Sequence, residues 1–585
     1  MSTPSGDIKI SANFEVNVGK PADPRVTATT IVNRNNITFK YKGMQVYVEE
    51  TSSSYTLQND LVTWVLSGSK EFIDSKGTNY ISPHVVIDYT TNGALLIASL
   101  AAVKLLTPGG IALSATNRVQ VALMPGIYDL GSSTLLADTQ YVDIVGLTSD
   151  ADSVIIRSTS TTLRQTANDV RFKNIRLESS VLGFYAYNPT GTSTTNTIMD
   201  NVSFYLTNGG STNPAGLTHA GVYNNIKVVQ ITGPNSREDA FGGTGSTASG
   251  TFTNCTITCG NNTTTLSFGG GTGSQSPGIF NNITTNSFFL DNGSFGSGST
   301  SNGTYTNCNT YSSNNNNISF GGQGYSSGVS SGVYINCNSY ATYGGNNSFG
   351  GGGISSGTYT NCTANNAFGP CASFGGTGTS NGVYNSCISN SGAGYNYSFG
   401  GNGVAASGRY INCISNSTTG QNSSFGGSSP SGTTSGYFSN CSTNTTTGVN
   451  VSFGGGSNTS AYGTFISCTP TSSSGIVNSF GGAGGTASGG FYQVIMMGQF
   501  TATFTGYIAN SIVSAIGTNQ TGMTDIRTSA KVYNCTIKGT GTGKSIDSIV
   551  ASQTPSIAHS RFNLSFGTNV TNGLTTNYNI IDPLI

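Results

Sequence analysis

An all-β fold is what this sequence predicts: a parallel β-helix whose coils of about 26 residues each hold three short strands and three turns. Three observations carry that expectation. An aromatic residue, a spacer, Asn or Ser, and Cys recur as FTNC at Cys255, YTNC at Cys308, YINC at Cys337, YTNC at Cys362, YNSC at Cys387, YINC at Cys413, FSNC at Cys441 and FISC at Cys468. From Cys308 onward the steps are 29, 25, 25, 26, 28 and 27 residues. A second motif keeps pace: AFGG at Phe241, SFGG at Phe268, SFGS at Phe295, then SFGG at Phe320, Phe349, Phe374, Phe399, Phe425, Phe453 and Phe480. Finally, the repeat segment is almost free of charge, with Asp291 and Arg409 alone between Phe241 and Thr524.

Gly, Asn, Ser and Thr in such abundance can also mark a disordered chain, but a solvated linker has no reason to keep aromatic and Cys positions at a fixed period. Helical solenoids need longer runs of helix formers than this segment offers. The Phe of SFGG is expected to point inward on one strand and the aromatic before Asn-Cys inward on the next. Asn then turns the corner, because it tolerates the left-handed backbone conformation and its stacked side chains can bond along a ladder. The cysteines (255, 308, 337, 362, 387, 413, 441 and 468) and the Phe residues from Phe268 through Phe480 are thus expected to form inward structural ladders. Cysteines one coil apart would sit about 4.8 Å from each other with parallel Cα–Cβ bonds, a geometry unsuited to a disulfide, so free buried thiols are expected. No His or carboxylate shares the period, and neither metal nor cofactor is expected.

The register can be followed upstream through VRFKNIRL with Ile175 after Asn174, TIMDNVSF with Val202 after Asn201, and VYNNIKVV with Ile226 after Asn225. FNNI at 280–283 reads as a break, with Asn282 in the place of Cys. Downstream, FYQV near Val494, ANSI near Ile512, VYNC at Cys535 and the Arg561-Phe562 region extend the stack to a rod on the order of 70 Å long. Ala94 to Leu106 reads as a short helix covering the open apolar end. The boundaries that follow are an arm at 1–18, a small β module at 19–70, a linker with the capping helix at 71–118, the β-helix at 119–565 and a tail at 566–585.

The succession of that helix, VQVALMPGIYDL, YVDIVGL, VIIRS and LRQTANDVRFKNIRLES resembles the first coils of pectate-lyase-like right-handed parallel β-helices, and the resemblance covers roughly Ala94 to Phe562. Residues 19–68, with GKPADPR, YKGMQVYV, SSSYTLQ and Trp64, resemble a small domain of tail-fibre and other structural proteins of tailed bacteriophages. Together the resemblances imply a structural virion protein, a tail fibre or spike that joins other virion proteins through its N-terminal module and projects toward a host surface glycan or receptor. They also imply a homotrimer, closed cyclic symmetry being the usual solution for such assemblies.

Family members that cleave pectin-like sugars use clustered carboxylates, and glycosidic hydrolysis in general needs two carboxyl groups within about 5–10 Å. The uncharged repeats cannot supply them. The early coils hold the dense charge, and a polysaccharide depolymerase, the alternative function, would draw on Asp143, Asp152, Asp169 and Asp200. Tyrosines in the variable stretches, Tyr311, Tyr325, Tyr340, Tyr343 and Tyr395, are candidate glycan contacts on a neutral amide and hydroxyl surface. An adhesive or ice-binding β-helix is a further alternative, disfavoured by irregular Thr placement. A surface without charge cannot steer nucleic acid. The longest apolar run, Ala94 to Leu106, carries Lys104 and is too short to span a bilayer. His84, His219 and His559 follow no metal spacing. The polar start MSTPSGDIKI lacks a secretory pattern, which fits synthesis in a host cytoplasm.

Overall fold

A computed structural model describes, with short gaps, residues 27–66, 92–230 and 236–564, together with the strand segments Glu71–Ile73, Asn79–Ile81 and Ile580–Ile581. It is a right-handed parallel β-solenoid preceded by a small sheet. Every coil of the regular part repeats four short strand segments, such as Val333–Ile335, Asn338–Ala341, Asn346–Ser348 and Ile354–Ser355. Each segment pairs in parallel with its counterpart one coil on, and the segments build three long sheets. The first two segments belong to one sheet, which is folded along the Asn column. Three sides per coil are therefore as expected, with one side creased.

The crease is a column of left-handed residues. Asn174, Asn201, Asn225, Asn254, Asn282, Asn307, Asn336, Asn361, Asn412 and Asn440 all have φ between 53° and 55°. Ser386, Ser467, Gln493, Asn510, Asn534 and His559 occupy the same corner in the other coils. Amide groups bond along the column: Asn254 Nδ2 donates to Asn225 Oδ1 at 3.2 Å, Asn282 to Asn254 at 3.1 Å, Asn307 to Asn282 at 3.0 Å and Asn336 to Asn307 at 3.2 Å. The expected break at FNNI does not exist. Asn282 is the corner residue, and Ile283, fully buried, fills the Cys place. At ANSI the inward residue is Ser511, not Ile512: Asn510 turns the corner, and Ser511 is buried while Ile512 is exposed.

A second expectation needs correction. The Phe of SFGG lies beyond the end of its strand, at a corner, and in ten coils from Phe241 to Phe480 it takes a positive φ of 50° to 58°. A bulky residue avoids this region at a cost of about 1–2 kcal/mol, so each of these turns is held by its surroundings. The following Gly continues the turn with φ near +70° to +107°, which is why the aromatic is always followed by Gly.

Burial supplies what the turn costs. The corner Phe rings stack on one another, with centroids 4.7 to 4.9 Å apart between Phe295 and Phe453. The Tyr/Phe residues before the Asn corner form a parallel stack from Tyr223 to Phe491. The two columns meet edge to face, as Phe374 and Tyr384 do at 6.0 Å. Beside them runs the Cys column, fully or almost fully buried, and all eleven cysteines are free thiols as expected. Cys337 Sγ lies 3.5 Å from the Tyr305 carbonyl of the preceding coil and Cys362 Sγ 3.5 Å from that of Tyr334.

Burial pushes the Cys255 thiol up to about 12 and those of Cys371 and Cys535 to about 11. Burial closes off access to all eleven, and for these three it also closes off the supply of thiolate. An aromatic disulfide reagent at pH 8 is expected to label none of the eleven thiols in the folded protein and all of them in guanidinium. Rapid native labelling of several thiols would contradict the ladder.

The aromatic column also explains its own chemistry. Tyr334, Tyr359, Tyr384 and Tyr410 donate their hydroxyls to Ser301, Ser330, Ser355 and Ser380 of the coil before, at 2.6 to 2.8 Å. The Ser column gives way to Ala406 one coil on, and there the aromatic becomes Phe438. The two side-chain hydroxyls disappear together, so neither is left buried without the other. Tyr359→Phe and Ser330→Ala are each expected to destabilise by about 1 kcal/mol. The double variant should lose less than their sum, and strict additivity in a double-mutant cycle would refute the pairing.

A third interior column is polar, which the sequence reading missed. Asn292, Asn317, Asn346, Asn396, Asn422 and Asn450 are completely buried. Asn317 Nδ2 donates to the Thr310 carbonyl at 2.9 Å and the Tyr340 carbonyl of the next coil at 2.9 Å, and so ties strand to strand and coil to coil.

At the open end, the helix Asn92–Val103 buries Leu96, Leu100 and Val103 against the first strands. A Cβ at Gly93 would fall 1.8 Å from the Asp129 carbonyl oxygen, so this close approach requires glycine. In the N-terminal unit, Gln45–Val48, Ser53–Leu57 and Trp64–Leu66 form an antiparallel sheet over Met44, Val46, Val48 and Leu57. Arg34 lies 4.2 Å above the Tyr55 ring. GKPADPR falls outside the described residues.

Candidate functional site

The charges of the early coils sort into a buried clamp and an exposed lattice. Arg118 is completely buried and donates to both carboxylate oxygens of Asp143, at 2.9 and 2.5 Å, and to Asp169 Oδ1 at 2.7 Å. Burial alone would lower the guanidinium, but Asp143 and then Asp169 outweigh it and hold Arg118 above its ordinary value. The Arg171 backbone N–H donates to Asp143 at 3.1 Å. Two of the four candidate catalytic acids, Asp143 and Asp169, thus join three successive coils where the solenoid begins. Asp152 and Asp200 lie apart from them on the surface, Asp152 with Arg176 at 3.9 Å and Lys227 at 3.3 Å, and Asp200 with Lys173 at 3.3 Å. The structure does not gather the four acids into one site.

It gathers a different set. Asp129, Arg157, Glu178 and Tyr205 are ladder neighbours on four successive coils, all on one outward row. They line a cleft of about 260 Å³ together with Ser158, Thr159, Ser180 and Thr207. Arg157 pairs with Asp129 at 2.8 Å, and Arg176 pairs with Glu178 at 2.5 Å while lying 3.7 Å over the Tyr205 ring. The Gly131 backbone N–H and then Arg157 hold the Asp129 carboxyl below its usual range. The steps between them are 28, 21 and 27 residues, so the period breaks at Glu178 and only the register joins the two halves.

The same row continues through Val229, Thr258 and Asn286 to Tyr311 and Tyr340, then to Asn365, Asn390, Asn416 and Asn444. In its far part the amides bond along the axis, Asn416 Nδ2 to Asn390 Oδ1 and Asn444 Nδ2 to Asn416 Oδ1, both at 2.8 Å. The tyrosines in its middle form part of an aromatic ridge. Tyr343, 61% exposed, stacks at 5.1 Å on Phe368, 57% exposed, one coil further. Tyr395, 51% exposed, stacks at 5.6 Å on Tyr397. Tyr311 and Tyr340 face each other at 6.2 Å. Tyr325 lies outside the described residues. Phe368 and Tyr397 were missed, although Phe368 follows Tyr343 by one coil length and so carried a signal.

The histidines are scattered: His84 lies outside the described residues, and His559 turns a corner. His219 is fully buried against Tyr223 and Phe241 with no hydrogen-bond partner at either ring nitrogen. Burial lowers it from 6.5 to about 3. The folded state therefore keeps His219 neutral while the unfolded chain protonates near 6.5. Stability is full above pH 6.5 and is lost as pH falls toward 3, at up to about 1.4 kcal/mol per pH unit from this group. His219→Ser, which installs the residue used in later coils, is expected to flatten that slope in denaturant melts, and an unchanged slope would refute the assignment. Among the described residues, no group of three or more His, Cys, Asp or Glu is placed to hold a metal ion, and no helix is long and apolar enough to cross a membrane.

Fold and surface together define a class, a rigid β-solenoid rod with a small separate sheet at its N-terminal side. No family model and no curated protein matches the chain. Among solved structures, a chain titled "Geobacillus virus E2 - ORF18" matches with 11% identity over 81% of this chain and 75% of that one, at a TM-score of 0.16. A likeness of that size carries no argument.

Proposed function

We propose that this protein is a structural fibre or spike of a bacteriophage-like particle, held by its N-terminal module while the solenoid projects and touches glycans of a host surface. The observation that carries the reading is the stacked aromatic ridge on the nearly uncharged middle coils. Paired rings at Tyr343–Phe368 and Tyr395–Tyr397 offer flat apolar faces to sugar rings, and the amides and hydroxyls beside them offer donors and acceptors. Repetition along a stiff axis turns weak single contacts into avidity. The resemblance of residues 19–68 to a phage structural domain supports attachment through that module, and trimeric assembly follows from the same resemblance.

Depolymerase activity is the weaker reading. Asp143 and Asp169 are engaged with Arg118, and Asp129, held low, is a poor proton donor. The experiment is electron microscopy and mass spectrometry of particles from the producing culture. The chain is expected in the particles as a projecting rod. A chain found only free in the lysate sinks the fibre reading, and sugar release by the purified rod would favour the enzyme.

A further inference from the structure

We infer that the cleft on the first coils is a binding subsite for one uncharged sugar ring. Its charges are already balanced, Asp129 by Arg157 and Glu178 by Arg176. An acidic or basic ligand meets no unbalanced charge there and gains little attraction for the desolvation of its own charge, whereas a polyol has no charge to desolvate. A carboxylate has about four acceptor positions and a guanidinium five N–H donors, so both keep unused positions after pairing. Those groups match vicinal hydroxyls, and the hydroxyls of Ser180 and Thr207 extend the same pattern. Tyr205 supplies an aromatic surface stiffened by Arg176. The volume of about 260 Å³ lies below the roughly 300–1,000 Å³ of drug-sized ligand sites, so a single ring fits and an oligomer must run out of it.

The outward row gives that oligomer its direction. From Tyr205, four coil steps lead to Tyr311, about 19 Å at the usual strand spacing. A glycan seated in the cleft can therefore extend along the rod toward the aromatic ridge. This inference rests on the fibre reading only for the host origin of the glycan.

The test is saturation-transfer NMR of the full chain with the methyl glycosides of glucose, galactose, mannose and N-acetylglucosamine, against glucuronic acid and N-acetylneuraminic acid. At least one neutral glycoside is expected to bind at millimolar concentration, at least tenfold more tightly than either acid. Tyr205→Ala and Thr207→Phe, the second filling the cleft without touching an ion pair, should each weaken it tenfold or more. Ile354→Ala, at an exposed position on another sheet of the solenoid, should leave it unchanged. Absence of neutral-sugar binding, equal binding of the acids, or insensitivity to both cleft variants overturns the subsite. Its failure leaves the particle-location result standing, and absence from particles leaves sugar binding standing.

Discussion

Arg118→Ala is expected to destabilise the first coils by about 3–5 kcal/mol, the usual consequence of removing one partner from a buried ion pair. Asp143 would be left buried with only the Arg171 N–H, and Asp169 would lose its guanidinium. Arg118→Lys should fall between wild type and Ala, because one ammonium cannot reproduce the fork that reaches both carboxylates. In a solenoid each coil contacts only its neighbours, so the loss is local at first. Hydrogen exchange should accelerate in Val119–Leu123, Val142–Gly146 and Arg171–Ser179 before it does in the Cys-bearing coils. A melt and exchange pattern unchanged to within about 0.5 kcal/mol would show that the clamp holds nothing. Any activity lost on changing Asp143 must likewise be judged against lost folding.

Phe374→Ala should destabilise by about 3–5 kcal/mol. The ring is fully buried, stacks on Phe349 and Phe399 at 4.8 Å each, and meets Tyr359 and Tyr384 edge-on at 5.7 and 6.0 Å. Ala removes these contacts without relieving the left-handed backbone at φ 51°. Phe374→Gly relieves it, so Gly should be the better of the two by about 1 kcal/mol, the reverse of their order in a helix or strand. The defect lies mid-rod, and unfolding is expected to split into two transitions as the coils on either side uncouple. A single unshifted transition for Ala, or Ala ahead of Gly, would contradict the corner geometry.

The period, the Asn corner and the Cys ladder were legible because each depends on spacing alone. Inward Ile175, Val202 and Ile226 were found by the same register. The Phe corner was not, since a bulky residue with positive φ defies its own backbone preference and only burial beside a second stack sustains it. Asn282 was misread because two asparagines in succession hid which one turned the corner, and Ile283 does the work of Cys unannounced. Asn317 and Asn346 sit in variable polar stretches, where composition suggests solvent, yet carbonyls of two coils claim their amides. The candidate acids divided for a similar reason. Charge density marked the early coils, but whether Asp143 faces Arg118 and Asp129 faces a cleft is decided by strand alternation and register.

The thiol column imposes an order of events. In the newly made chain the cysteines of the column from Cys308 to Cys468 are separated by 25 to 29 residues and free to meet, and any oxidant present would join them in pairs. A link between neighbours must be broken again before their coils can stack, because the native spacing and parallel side-chain directions reject it. Once stacked, the same sulfurs lie beyond reach. Folding followed by oxidant yields an intact rod, and oxidant followed by folding yields a knot of cross-linked chain from the same sequence.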